Sequence, residues 1–124
     1  IELKPDCENY SNRGSLKYTV GLLDECYEDL NIAIELNPDF EGSYINRGLL
    51  RKELGDYKGS LDDYNRALSL NPNTAITYYN RGLLYIQHLN NKHKGKKDLE
   101  KAFELGDCDA FIDLQKYFGV HQRN

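Results

Sequence analysis

The sequence predicts an all-α fold: a right-handed α-solenoid of antiparallel helix pairs, three pairs followed by a C-terminal capping helix. Three observations predict it. The pentad Tyr10-Ser-Asn-Arg-Gly14 returns as Tyr44 to Gly48 and again as Tyr78 to Gly82, a step of 34 residues each time. Leu16, Leu50 and Leu84 keep that step, and so do Asn37-Pro38 and Asn71-Pro72. Apolar residues within each unit fall at helical spacing, and the helical stretches stop at glycine or at Asn-Pro. Self-similarity at such a period marks stacked helical units, none of which can bury its apolar face alone.

Residues 1–6 repeat the order of Ile34 to Asp39 and read as the end of a preceding repeat, so the chain is expected to belong to a longer array. The first unit spans 7–40 and the second 41–74. In the second, Tyr44, Gly48 and Arg51 share one helical face. Leu54-Gly55-Asp56 breaks the pattern, with glycine suited to the left-handed turn after a helix. A second helix is expected from Tyr57 to Leu70, with Ser60, Leu61, Tyr64, Ala67 and Leu68 on one side. Asp62, Asp63, Asn65, Arg66 and Ser69 are placed on the wet side. Asn71-Pro72 stops that helix, because the residue before proline is driven out of the helical region. Asp6, Asp39 and Asn73 are predicted N-caps.

The third unit, 75–106, carries one inserted residue in Asn90-Asn91-Lys92 and lacks the closing proline. Gly106-Asp107 then resets the chain for a capping helix within 107–119. Ala110, Phe111, Leu114, Tyr117 and Phe118 form its apolar side, and Asp113, Gln115 and Lys116 its wet side. The polar tail 120–124 reads as a C-terminus.

Composition narrows the function. The 124 residues hold 16 Lys+Arg against 20 Asp+Glu, a formal charge of −4, with a mean hydropathy of −0.73. No apolar run approaches the roughly 18 residues of a membrane span, so no membrane partner is expected. An acidic chain is a poor generic binder of phosphate backbones, so no nucleic acid is expected either. The local basic run Lys92, His93, Lys94, Lys96, Lys97 and Lys101 has no aromatic residue interleaved with it and reads as a solvated turn and helix start. Cys7, Cys26 and Cys108, with His88, His93 and His121, show no ligand spacing. That argues against a metal site or a secreted disulfide scaffold and for a reducing, cytoplasmic setting. No nucleophile–base pairing or phosphate loop is readable, so no catalytic residue and no cofactor are expected.

The rows resemble the tetratricopeptide repeat. Its first aromatic slot holds Tyr10, Tyr44 and Tyr78, and its glycine slot Gly14, Gly48 and Gly82. The later small slot holds Cys26, Ser60 and Gly95. Leu30, Tyr64 and Leu99 follow, then Ala33, Ala67 and Ala102. The resemblance covers about residues 1–106. Two departures stand out. Arg13, Arg47 and Arg81 replace a leucine, which predicts an aliphatic stem with an exposed guanidinium. Lys17 and Arg51 replace the second aromatic, which only Tyr85 keeps.

The resemblance implies a non-catalytic protein–protein interaction module whose first helices line a concave groove for a partner's peptide or helix. The residues assigned to that groove are Glu8, Ser11, Asn12, Ser15 and Tyr18; then Ile45, Asn46, Leu49 and Lys52; then Ile76, Tyr79, Asn80, Leu83 and Ile86. At 100° per residue, Ile76, Tyr79, Leu83 and Ile86 form a stripe of about 80°. Three readings stay open for it: cover by neighbouring repeats and the end helix, an exposed apolar pocket shared with Ile45 and Leu49, or filling by the chain's own tail or a second copy. The Asn12, Asn46, Asn80 ladder could bond a ligand's backbone or join neighbouring helices. Some family members clamp C-terminal carboxylates of chaperones with lysine, asparagine and arginine. Ser11, Ser15, Asn46, Ile76 and Asn80 stand at those positions here, without a cation, so no clamp is expected. The alternative function is a self-associating structural segment, a homodimer formed through the N-terminal edge at Ile1 and Leu3 or through the apolar groove.

Overall fold

The computed structural model describes residues 20–119, with side chains from Leu23 onward. Outside the described residues lie the predicted end of a preceding repeat, the first helix of unit one with Glu8, Ser11, Asn12, Ser15 and Tyr18, the Asp6 cap, the N-terminal edge and the 120–124 tail. Every regular element among the described residues is an α-helix. The backbone groups into two compact units, divided along the chain between Pro72 and Asn73.

The first unit contains α1 (Val20–Leu36), α2 (Glu41–Glu53) and α3 (Tyr57–Leu70). Its helices start and stop where the breakers predict. Gly55 takes φ +87°, a left-handed value that only glycine adopts without strain. Asp56 then caps α3, its carboxylate accepting the Gly59 N–H at 2.9 Å. At the far end Asn71 is extended, with φ −144° and ψ 96°, as the proline after it demands.

The crossing of α2 and α3 is set by small residues. Ser60 Oγ donates to the Gly48 carbonyl at 2.6 Å. A Cβ on Gly48 would lie 2.6 Å from Tyr64 Cε1. Residue 48 against 60, with 51 against 59, is the register of an antiparallel hairpin. Cys26, Leu30, Leu50, Tyr64 and Ala67 are each 1% exposed or less. Each large side chain among them stabilises the fold by about 1.5–3 kcal/mol. Cys26 is buried in this unit, whereas Cys108 in the other is a free, exposed thiol.

The second unit contains α4 (Ala75–Gln87), α5 (Lys92–Glu104) and α6 (Cys108–Phe118). The inserted residue is absorbed at Asn90, which takes φ +51°, a region asparagine tolerates better than most. Asn91 caps α5 by accepting the Lys94 N–H at 3.1 Å. Two glycines face each other at this crossing: a Cβ on Gly82 would sit 3.0 Å from the Gly95 carbonyl oxygen. The capping helix begins at the N-cap Asp107 and ends at Gly119, φ +62°. Tyr79, Leu83, Leu99, Ala102, Ala110 and Leu114 form one core cluster, so α6 closes this unit.

Two local expectations need correction. Phe40 and Thr74, not Asp39 and Asn73, occupy the N-cap positions of α2 and α4, with no side-chain cap bond. Asp39 and Asn73 fall one residue early, inside turns begun by Pro38 and Pro72. Asp63 is not on the wet side of α3 but 2% exposed. It lies three residues after Ser60 and four before Ala67, at the edge of the buried stripe.

Candidate functional site

Arg47 and Arg81, two of the arginines that replace the family's leucine, are not exposed. Arg47 grips Asp63 with two parallel bonds, Nε to Oδ2 at 2.9 Å and Nη2 to Oδ1 at 2.7 Å. Its Nη1 donates to Asn31 Oδ1 at 3.0 Å. Arg51 reaches the same carboxylate at 3.2 Å and donates to the Tyr27 hydroxyl at 3.2 Å. In the other hairpin Arg81 holds Asp98 at 2.8 Å through both Nε and Nη2. The Asp63 and Asp98 side chains are only 3% and 8% exposed, and a carboxylate that dry needs such a partner. The bond to Asp98 holds the Arg81 pKa above its ordinary value despite burial. For Arg51, burial works against the charge, but the Tyr27 bond and the Asp63 charge outweigh it. That same bond to Arg51 lowers the Tyr27 pKa. These groups staple helices together and are not available to a ligand.

The predicted groove residues separate into buried and open sets. On α2, Leu49 is 3% exposed, while Ile45, Asn46 and Lys52 are half-buried. Burial pushes the Lys52 ammonium below the usual lysine range. On α4, Tyr79, Asn80 and Leu83 are buried, Ile86 is half-buried against the core cluster, and Ile76 is 37% exposed. Of the three readings of the apolar stripe, cover by the end helix is the one found for Tyr79 and Leu83. The Tyr79 hydroxyl donates to Asp113 of α6, and Gln87 Nε2 donates to the Tyr117 hydroxyl at 2.9 Å. Leu49, Tyr79, Asn80 and Leu83 are therefore packing residues, a correction to their groove assignment. A helix with two apolar flanks does not reveal in its sequence which flank meets its own neighbour. Asn12 and Ser15 lie outside the described residues.

A feature absent from the expected site lies between α4 and the start of α5. Arg81, Tyr85, His93, Lys94, Lys97 and Asp98 line an open cleft of about 380 Å³. Lys94 Nζ stands 5.7 Å from the Tyr85 ring centroid, and the Arg81 guanidinium stands 5.9 Å from it. Tyr78 stacks on Arg81 from another direction at 5.6 Å. Hairpin closure thus brings an aromatic ring to the basic run, which has none of its own. The 34-residue row that contains Arg51 and Tyr85 was the available signal, since it marks Tyr85 as facing the second helix.

Family models for the TPR repeat and the tetratricopeptide repeat match residues 48–88 and 75–105. The chain belongs to the tetratricopeptide-repeat family. The first TPR of Spaghetti (RPAP3), solved bound to the HSP90 peptide SRMEEVD, superposes with a TM-score of 0.68. It shares 26% identity, with 77% of each chain covered. A tetratricopeptide repeat protein from Parabacteroides merdae gives the same TM-score at 32% identity, over 80% of this chain but 40% of that one. No curated protein matches the sequence. As tetratricopeptide repeats, the two described hairpins keep the glycine slot at Gly48 and Gly82 and fill the leucine slot with a stapling arginine.

Proposed function

We propose that this tetratricopeptide-repeat chain is a non-catalytic interaction module that binds a partner peptide or helix through the open faces of its first helices. Ile45 and Asn46 of α2 are the contact residues of the first unit, and Ile76 of α4 is that of the second, each face taken by itself. The observation that carries this reading is their accessibility beside buried neighbours, in a family whose members typically serve protein interaction. The peptide in the Spaghetti relative supports a peptide as the class of partner. Apolar side chains beside an asparagine suit a mixed apolar and polar segment. A C-terminal carboxylate is a poor fit, because Ile76 and the buried Asn80 bring no cation.

The test is a peptide library selected on the chain, followed by titration calorimetry of the selected sequences. Ile45→Asp and Ile76→Asp should each weaken binding by roughly tenfold, about 1.4 kcal/mol, with the melting midpoint unchanged. Affinity that survives both substitutions would contradict the assignment.

A further inference from the structure

The cleft between α4 and α5 stands apart from the first-helix faces, and most of its lining residues have no like counterpart in the other hairpin. Residues correspond at a step of 34 in the first helices and 35 in the second, because of the insertion. Arg81 and Asp98 therefore match Arg47 and Asp63, and the staple is common to both. The rest of the lining is not. Tyr85 stands where Arg51 stands, Lys94 where Gly59 does, Lys97 where Asp62 does and His93 where Lys58 does. In the first hairpin Arg51 spans this space itself, donating to the Gly59 carbonyl at 3.4 Å and to Asp63. In the second, a tyrosine ring forms the wall and two lysines stand at the mouth.

Those lysines have no carboxylate to answer them. Among the described residues no acidic side chain pairs with Lys92, Lys94, Lys96 or Lys97, and Asp98 is already held by Arg81. Only Lys101, outside the cleft, has an acidic neighbour, Glu104 at 3.9 Å. The imbalance is local: residues up to Pro72 carry eight basic and fourteen acidic side chains, and those beyond carry eight and six. A cation concentration of this kind in an acidic chain attracts a short anion more than a long polyanion, since a strand running past the cleft would meet repelling carboxylates. The volume lies within the roughly 300–1,000 Å³ of ligand pockets, enough for several side chains.

We propose that this cleft binds an acidic peptide segment of a partner protein. Lys94 and Lys97 meet its carboxylates, the Tyr85 ring packs against its aliphatic stems, and Arg81 with Asp98 fixes the floor. The site is separate from the first-helix faces and does not depend on them.

Fluorescence anisotropy with a labelled octaglutamate peptide and the 124-residue chain tests it. Binding should weaken with added salt. It should fall by roughly tenfold or more in the double variant Lys94→Glu, Lys97→Glu, as for charge pairs at an interface. Lys94→Arg with Lys97→Arg should keep it, and Lys58→Glu in the other hairpin should leave it unchanged. Helicity should match the parent chain in all of these, since among the described residues Lys94 and Lys97 form no ion pair through their ammonium groups and Lys58 forms only an exposed one, with Asp62 at 4.0 Å. Unchanged affinity in the double glutamate variant overturns the proposal. So does tighter binding of an oligouridylate than of octaglutamate, which would make the cleft a nucleic-acid surface.

Discussion

The hairpins α2–α3 and α4–α5 place the same parts at the same repeat positions and join them differently. Both have an arginine in the family's leucine slot gripping a buried aspartate, and both have glycine at the helix crossing. In the first hairpin Ser60 ties the crossing with a hydrogen bond, and Asp63 serves two arginines. In the second, Gly95 removes the side chain altogether and Asp98 takes Arg81 alone among the arginines. Polar bonding in one place is replaced by close approach in the other. Arg51 spans the first hairpin with its own bonds, whereas Tyr85 at the same position walls a cleft in the second.

The sharpest way to break that comparison is at the aspartates. Asp63→Ala takes the shared buried carboxylate from two partly buried guanidiniums, leaving Arg47 its bond to Asn31 and Arg51 those to Tyr27 and Asp56, and should cost roughly 2–4 kcal/mol. Asp98→Ala, which takes the carboxylate from one arginine, should cost less. Equal losses in urea denaturation would mean that the second arginine contributes nothing. At the crossings, Gly95→Ala should destabilise by about 1–3 kcal/mol, because its Cβ would lie 2.4 Å from Ile86 Cγ1 and 2.9 Å from the Gly82 carbonyl oxygen. Ser60→Ala loses one bond, about 0.5–1.5 kcal/mol. The reverse order in thermal melts would refute the distinction between bonding and shape. The caps sharpen the likeness instead: Asp56→Ala and Asn91→Ala should each cost about 1 kcal/mol, read as matched falls in melting midpoint.

Tyr64, which belongs to the first hairpin alone, gives the smallest effect and a change of sign. Its hydroxyl is buried with no hydrogen-bond partner, and burial pushes its pKa well above 10.0. Tyr64→Phe should therefore be neutral or stabilising by up to about 1 kcal/mol near neutral pH. The sign with pH follows from linkage. The unfolded phenol loses its proton near 10 while the folded one keeps it, so stability is intact below that pH and falls as pH rises through it. The phenylalanine variant should lose less stability on alkaline titration. An identical alkaline slope in both proteins would count against burial as the cause.

Helix boundaries were legible because they depend on backbone chemistry that one residue can announce. Gly55, Gly106 and Asn71-Pro72 each act where they stand. The staples were less legible because their partners are 16 and 17 residues apart and meet only when the hairpin closes. A signal existed: Asp29, Asp63 and Asp98 recur at steps of 34 and 35 alongside Arg13, Arg47 and Arg81. Two rows of opposite charge sharing one period argue for pairing rather than for solvation. The groove was hardest to read. Tyr79 and Leu83 carry the apolar character that a partner would need, and α6 uses that same character to close the unit. Hydrophobicity alone does not distinguish the chain's own helix from a guest.

Double-mutant cycles on Arg47 with Asp63 and on Arg81 with Asp98 test most directly whether the two hairpins rest on one repeated device. The account predicts favourable coupling of roughly 1–3 kcal/mol for each pair. Coupling near zero in either hairpin would contradict it, leaving that pair a geometric neighbour that holds nothing together.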